Sequence, residues 1–283
     1  MANETTTTTL TELIQASIGE ARVVASQGVD LVDTITRRPL EEGKGSATFP
    51  IYDEETMASV AEATDLTNTA FDTTAVEITP GEYGLMTTLT DKAKMAAGMQ
   101  SAIDIGRVMG EAYRAAKNRA IYALFDGFSN AIGTTNVDIT EALIQQAVRI
   151  LRNAKAPGPY YMAVTPHVME DLLGLYSSNT NNVAESIRNA AMETGTLPLI
   201  HGVQPVLVDN LVQGTGTGEA NEADTKMGIY SAAALAYVEE WDFRIETERN
   251  ASLRGEELVA TASFGVGEIK DDWGVELLVD NAD

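Results

Sequence analysis

The 283-residue chain is 44% apolar and 22% charged, the composition of a folded protein rather than a fibrous or disordered one. Forty-two acids against nineteen basic residues leave a formal charge of −23, which opposes binding to nucleic-acid backbone, because such binding relies on Lys and Arg displacing counterions. There is no cysteine, which excludes disulfides and thiolate metal sites, and no run of about 18 apolar residues to span a membrane as a helix.

The length suits about two domains at ~150 residues each. The start, MANETTTTTL, has neither the basic lead nor the apolar block of a secretion signal. Thr9-Leu10-Thr11-Glu12 fits a capping box, and Leu10, Leu13, Ile14 and Ile18 follow at helical steps. A second apolar group, Val29, Leu31, Val32 and Ile35, precedes Arg37-Arg38-Pro39, where any helix should have ended. These residues fit an ordinary N-terminal helix or an arm that packs on a neighbour.

From Ser46 the texture changes. Ser46–Tyr52, Thr73–Thr79 and, after the turn pair Pro80-Gly81, Tyr83–Thr90 read as strands. Asp53 to Asp72 shows no helical face. From Ser46 to Thr90 there are eight acids, among them Asp53, Glu54, Glu55, Glu62 and Asp65, and no Lys or Arg. The stretch is either a solvated acidic loop or a tongue aimed at a basic partner. A two-stranded excursion has no core of its own and needs another surface.

Asp91-Lys92-Ala93-Lys94 opens a short helical lead, with Gly98 as a joint. Ser101–Phe128 then has the longest helical rhythm in the chain: roughly 28 residues, about 42 Å at ~1.5 Å per residue. Ile105, Val108, Met109, Ala112, Ala116, Ala120, Ala123 and Leu124 form its apolar face, and Arg107, Glu111, Arg114, Lys117 and Asn118 fall mainly opposite. Asn130 to Thr135 reads as a loop. Thr140 caps a helix over Glu141–Ala154, which Pro157-Gly158-Pro159 stops. Tyr160–Val164 is a short buried strand, and Thr165-Pro166 restarts a helix. A polar loop at Ser177–Asn182 leads to a helix around Val183–Met192. Strand core follows at Val206–Val208, then a flexible acidic stretch over Gly214–Thr225. Gly228–Val238 is a strand-like run, Trp241–Arg249 and Glu257–Gly265 a hairpin around Ser252–Gly255, and Trp273–Val279 a last strand.

Chemistry is sparse. Gly214-Thr215-Gly216-Thr217-Gly218 follows a strand like a phosphate cradle, but it lacks the Lys-Ser/Thr of a P-loop and acids follow it, so a hairpin tip is the plainer account. His167 and Asp171 stand four apart, a metal-compatible spacing that is equally that of an acid complementing a helix start. His201 is the other imidazole. Asp271-Asp272 and Glu239-Glu240 lack a calcium-loop spacing. No nucleophile, base and orienting group assemble by spacing, so no catalytic, cofactor or metal residue is assigned.

The order of these parts resembles the major capsid proteins of tailed bacteriophages, which share the HK97 fold. The resemblance rests on SATFPIY and TTAVEITPGEYGLMTTLTD, the long helix SAIDIGRVMGEAYRAAKNRAIYALF, ITEALIQQAVRILRNAKAPGPYYMAVTPHVMEDLL, and the return through GVQPVLVDNL, MGIYSAAALAYV and ELVATASFGVG. It implies an α+β, HK97-like chain: an N-terminal arm (1–45), an extended β-hairpin loop with its base strands (46–90), a peripheral domain with the spine helix (91–138), an axial α/β domain (139–238), and return strands with a C-terminal strand (239–283). The extended loop would lie across an adjacent copy, its acids meeting Arg107, Arg114, Lys117 and Arg119. Pentamers and hexamers would close into an icosahedral shell around double-stranded DNA, assembled in the host cytoplasm. The partners implied are further copies of the chain, a portal, a separate scaffolding protein or none, and a decoration protein.

Some relatives weld the loop to a neighbour through a lysine–asparagine bond; this loop has no lysine, so no weld is expected. An encapsulin-like compartment enclosing a cargo enzyme is the runner-up. A soluble enzyme or ligand-binding module built on the Gly214–Gly218 loop is a distant third.

Overall fold

The structure, a computed structural model, describes residues 30–280 except 53–54, 58, 64, 67, 69, 71–72, 98–99, 178–196 and 209–223. In chain order its elements are β1 (Thr36–Pro39), β2 (Ala47–Tyr52), β3 (Thr73–Ile78), β4 (Gly81–Thr90), α1 (Asp91–Ala97), the spine helix α2 (Gln100–Tyr122), β5 (Ala131–Gly133), α3 (Glu141–Asn153), β6 (Tyr160–Val164), α4 (Pro166–Ser177), β7 (Val203–Leu207), β8 (Asp224–Ser231), β9 (Leu235–Asn250), β10 (Gly255–Glu268) and β11 (Gly274–Asp280). No described helix is long and apolar enough to cross a membrane.

Two sheets carry the body. The first has the order β1-β9-β10-β4. Its centre is the expected hairpin, although β9 and β10 reach sixteen and fourteen residues, well beyond the alternating stretch that announced them. β4 pairs antiparallel with β10 along its whole length, and β1 runs parallel to β9 with Thr36 opposite Ala236. The spine helix lies across this sheet through aromatic contacts. Tyr113 stacks on Phe243 with ring centroids 5.0 Å apart and meets the edge of Phe264 at 6.1 Å. Phe264 is in turn sandwiched by Tyr83 and Tyr237 at 4.2 and 5.6 Å. Such offset and edge-on rings add attraction beyond their buried area.

The second sheet has the order β5-β11-β8-β6-β7. Thr140 caps α3 as expected, its side chain accepting from Leu143 N, and Ile144, Ala147, Val148 and Leu151 form the buried stripe. β6 is buried as expected, and α4 begins at Pro166. β11, from the far end of the chain, sits between β5 and β8. The link after the spine fixes this sheet in place. Phe125 lies where a Cβ on Gly228 would approach within 2.5 Å, and Phe128 where one on Gly274 would approach within 2.1 Å, so both glycines are demanded by close packing.

β2 and β3 form a separate two-stranded ribbon, Ala47 opposite Ile78 and Tyr52 opposite Thr73. Its base is anchored: Ala47, Phe49 and Ile78 pack on Ala236 and Val238. Ile78 sits directly on the backbone of Gly267, where an added Cβ would lie 2.7 Å from its side chain.

Several expectations are corrected. The spine ends at Tyr122, not Phe128, because Phe125–Gly127 tightens into a 3-10 turn that drives Phe125 into the core. It is 23 residues long, about 35 Å. Its buried face is also rotated from the expected one: Val108 is 60% exposed, whereas Lys117 and Asn118 are buried. Leu31–Thr34 is a 3-10 turn and Thr36–Pro39 a strand, so no helix runs through Ile35 to Arg37. Pro39 is tolerated because β1 is an edge strand. The Gly228–Val238 run is two strands, β8 and β9, which a turn at 232–234 sends into different sheets. The Asn130–Thr135 loop contains β5, parallel to β11. The capped helix over Leu10–Ile18, the Gly98 joint, the helix around Val183–Met192 and the Gly214–Gly218 loop lie outside the described residues.

Candidate inter-subunit surface

Beyond Pro50 the ribbon leaves its anchor. Among the described residues from Glu55 to Ala70 there is no helix or strand, and all are exposed. Met57 is fully exposed, Leu66 is 80% exposed, and Tyr52 and Val60 also face solvent. Glu55, Glu62 and Asp65 are exposed alongside them; Asp53 and Glu54 lie outside the described residues. Large apolar side chains and acids therefore share one slender element that buries neither.

A complementary feature runs between β4 and the spine helix. Two adjoining hollows of about 240 and 360 Å³ share Leu85 and Met109 in their walls. Tyr83, Met86, Ile105, Val108 and Ala112 continue the apolar lining, with Asp104 at one end. Tyr83, Leu85, Met86 and Val108 are exposed despite their size. This groove explains the rotated helix face. The N-terminal half of the spine offers apolar side chains that the sheet does not cover, while its C-terminal half buries polar ones.

Those buried polar groups hold the first described residues. Lys117 is 9% exposed, bonds Asp30 at 2.5 Å, and sits 4.7 Å over the Tyr113 ring. Asn118 Oδ1 accepts from Leu31 N at 3.0 Å, and Thr34 exchanges a hydrogen bond with Tyr230 OH at 2.6 Å. Burial raises the Tyr113, Tyr230 and Tyr237 phenols far above their ordinary range, so each stays protonated and available as a donor. Lys117 was expected to face a neighbour. The structure engages it inside its own chain, because Asp30 approaches from a segment that helical periodicity does not register. Of the other cations in that set, Arg107 and Arg119 are exposed and Arg114 is half-buried.

The two histidines each meet one carboxylate. His167 lies 3.9 Å from Asp171 within α4, and His201 lies 2.8 Å from Glu141 at the start of α3. Among the described residues no three His, Asp or Glu side chains gather as a metal site. The groove residues Tyr83, Leu85, Met86 and Val108 are the functional candidates that sequence reasoning missed. Their signal was present: Leu85 and Met86 are consecutive apolar residues, so one of them must face away from any single buried face.

Comparison with known proteins agrees with this architecture. No curated protein matches the chain. Among solved structures, a chain of Mycobacterium phage Che8 superposes with a TM-score of 0.69 at 17% identity, covering 88% of this chain and 91% of that one. The bacteriophage PhiM1 mature capsid gives 0.64 at 14%, covering 91% and 89%. The virus-like particle from Pyrococcus furiosus gives 0.59 at 10%, covering 94% and 98%. These likenesses establish the fold. The family model described as phage capsid protein matches residues 73–275, from β3 to the start of β11 and well over half the sequence. An apolar-tipped ribbon, an uncovered groove and that match make one case: the chain belongs to the phage capsid protein family and is a structural subunit of a phage shell.

Proposed function

We propose that this chain is the major shell subunit of a tailed bacteriophage, closing through pentamers and hexamers into an icosahedral container for double-stranded DNA. Its activity is assembly rather than catalysis. Residues 1–45 serve as the arm and 46–90 as the extended loop with its base strands. Residues 91–138 carry the peripheral domain with the spine, 139–238 the axial domain, and 239–283 the return strands. Assembly takes place in the host cytoplasm with portal, scaffolding and decoration proteins, and the −23 charge keeps packaged DNA from adhering to the wall.

The observation that carries this reading is the exposed ribbon. Head-to-tail contacts repeated around a ring are what shell growth requires. A ribbon tip from one copy laid in the groove of the next makes such a contact. Met57, Val60 and Leu66 enter beside Tyr83, Leu85, Met86 and Val108, while Asp53, Glu54, Glu55, Glu62 and Asp65 pass Arg107, Arg114 and Arg119. Fully covering one such apolar side chain contributes about 1.5–3 kcal/mol, against ~0–1 kcal/mol for an exposed ion pair. The apolar tip therefore supplies affinity and the charges set register.

The absence of cysteine makes the test clean. Met57→Cys chains and Val108→Cys chains are mixed, assembled and treated with a short bismaleimide. Cross-linked dimers in the mixture support docking between copies. A cross-link that forms only when both cysteines sit in one chain means the ribbon folds onto its own groove, and the proposal fails. Double-stranded DNA inside purified particles supports the phage reading, whereas a co-purifying enzyme indicates the encapsulin-like alternative.

A further inference from the structure

Of the four edges of the two body sheets, three are blunted. In the first sheet β1 ends on Pro39; in the second, β7 carries Pro205 and β5 is three residues long. Proline and shortness keep an edge from pairing with another chain. β4 has neither. It is ten residues long, holds an unbroken antiparallel register with β10 from Gly81 to Thr90, and carries a single charge, Glu82. Among the described residues its outer edge pairs with no strand. Alternate residues of an antiparallel edge strand turn N–H and C=O outward, so β4 presents a row of open backbone groups.

The groove lies along this edge. Its β4 wall runs from Tyr83 to Thr87, about 17 Å at ~3.4 Å per residue, and its spine wall from Asp104 to Ala116, about 18 Å at ~1.5 Å per residue. Both are the length of one short strand. The sheet stops before it covers this part of the helix: Val108 is 60% exposed, whereas Met109 beside it is 2% exposed. At the same level both faces of β4 are apolar. Leu85 stands opposite Ala260, on the spine side, and Met86 opposite Val259, on the other face.

We propose that the ribbon tip of a second copy enters this groove as a fifth strand of the sheet, hydrogen-bonded to the outer edge of β4. The inference rests on the docking of ribbon into groove proposed above and adds the backbone to it. Met57 and Val60 stand three apart, so along a strand they point to opposite faces, as Leu85 and Met86 do. Met57 then lies against Val108 on the spine side, and Val60 lies beside Met86 on the open face. The described residues from Glu55 to Ala70 form no strand in the subunit alone, so this strand forms on docking. In strand addition the main-chain bonds give affinity and the alternating side chains give register.

The experiment uses four single-cysteine chains, Met57→Cys, Val60→Cys, Met86→Cys and Val108→Cys, each at an exposed position. They are mixed in pairs, assembled and oxidised, since a direct disulfide forms only between close Cβ atoms. Hydrogen exchange of β4 is measured in wild-type subunits and particles alongside. Disulfides 57–108 and 60–86 are expected between copies, and 60–108 is not. About half of the ten β4 amides should exchange freely in the subunit and be lost from the fast class in particles. A 60–108 disulfide with β4 exchange unchanged would mean that the tip docks by side chains alone; the docking reading then stands and the fifth strand falls. Met86→Cys chains linked to one another would mean that two β4 edges pair, which also overturns it. Absence of every ribbon–groove disulfide removes the docking reading itself, and the fifth strand with it.

Discussion

The β9–β10 hairpin and the β2–β3 ribbon are both antiparallel pairs, and they differ in what covers them. The hairpin has β1 on one edge, β4 on the other and the spine helix across one face. Phe243, Ile245, Leu258, Ala260, Ala262 and Phe264 are buried along it. The ribbon has six residues in each strand and an apolar anchor only at its base. Past Pro50 it keeps the apolar side chains and loses the cover. A pair of strands holds its shape when neighbouring elements flank it, and in the proposed assembly the neighbour the ribbon lacks is supplied by another copy. On that proposal the hairpin serves the subunit and the ribbon the assembly.

Substitutions can break that contrast. The largest effect belongs to the hairpin: Phe264→Ala removes the ring held between Tyr83 and Tyr237 and should cost about 3–5 kcal/mol, read as a lower Tm of the subunit. Gly267→Val comes next. It forces a side chain against Ile78 and should cost ~1–3 kcal/mol, concentrated at the ribbon base. Limited proteolysis should then cut faster than in wild type between residues 50 and 75 with the rates at other sites unchanged; a uniform increase would mean the ribbon is not a separate unit. Reversing Arg107 and Arg119 to Glu should leave the subunit's unfolding free energy within ~0.5 kcal/mol of wild type yet lower particle yield, since each pair contributes only ~0–1 kcal/mol. Normal yield at moderate salt would remove the charges from the register mechanism. Reversing Lys117 instead would break its bond to Asp30 and confound folding with assembly. At the end of the scale no change is expected: particles boiled in denaturant should run as one band near 30.2 kDa, and a ladder would reveal a covalent weld.

Local signals explain which parts were legible from the residues alone. Thr140 caps α3 because the hydroxyl and the amide it bonds are three residues apart, and Pro157-Gly158-Pro159 stops the chain within the same window. Alternation over Ser46–Tyr52 and Thr73–Thr79 announced the ribbon for the same reason. β1 was missed because Thr36–Pro39 reads as a helix stop and becomes a strand only through β9, some two hundred residues away. β5 depends likewise on β11. Within the candidate site, the acids of the ribbon were visible as composition. The groove was not, because whether Val108 is covered depends on where the sheet ends, and whether Lys117 is free depends on Asp30.

The central place of β11 has a consequence for synthesis. Val275, Leu277 and Val279 are fully buried, and β5 pairs with β11. The ribosome therefore has to release the chain through β11, Gly274–Asp280, before the second sheet can close, and a product stopped short of it leaves that sheet open. A product stopped at residue 270 should be excluded from particles when co-expressed with the intact protein, and finding it there by mass spectrometry would show that closure is not a condition of entry. Damaged messages would then waste single molecules without leaving weak facets in the finished head.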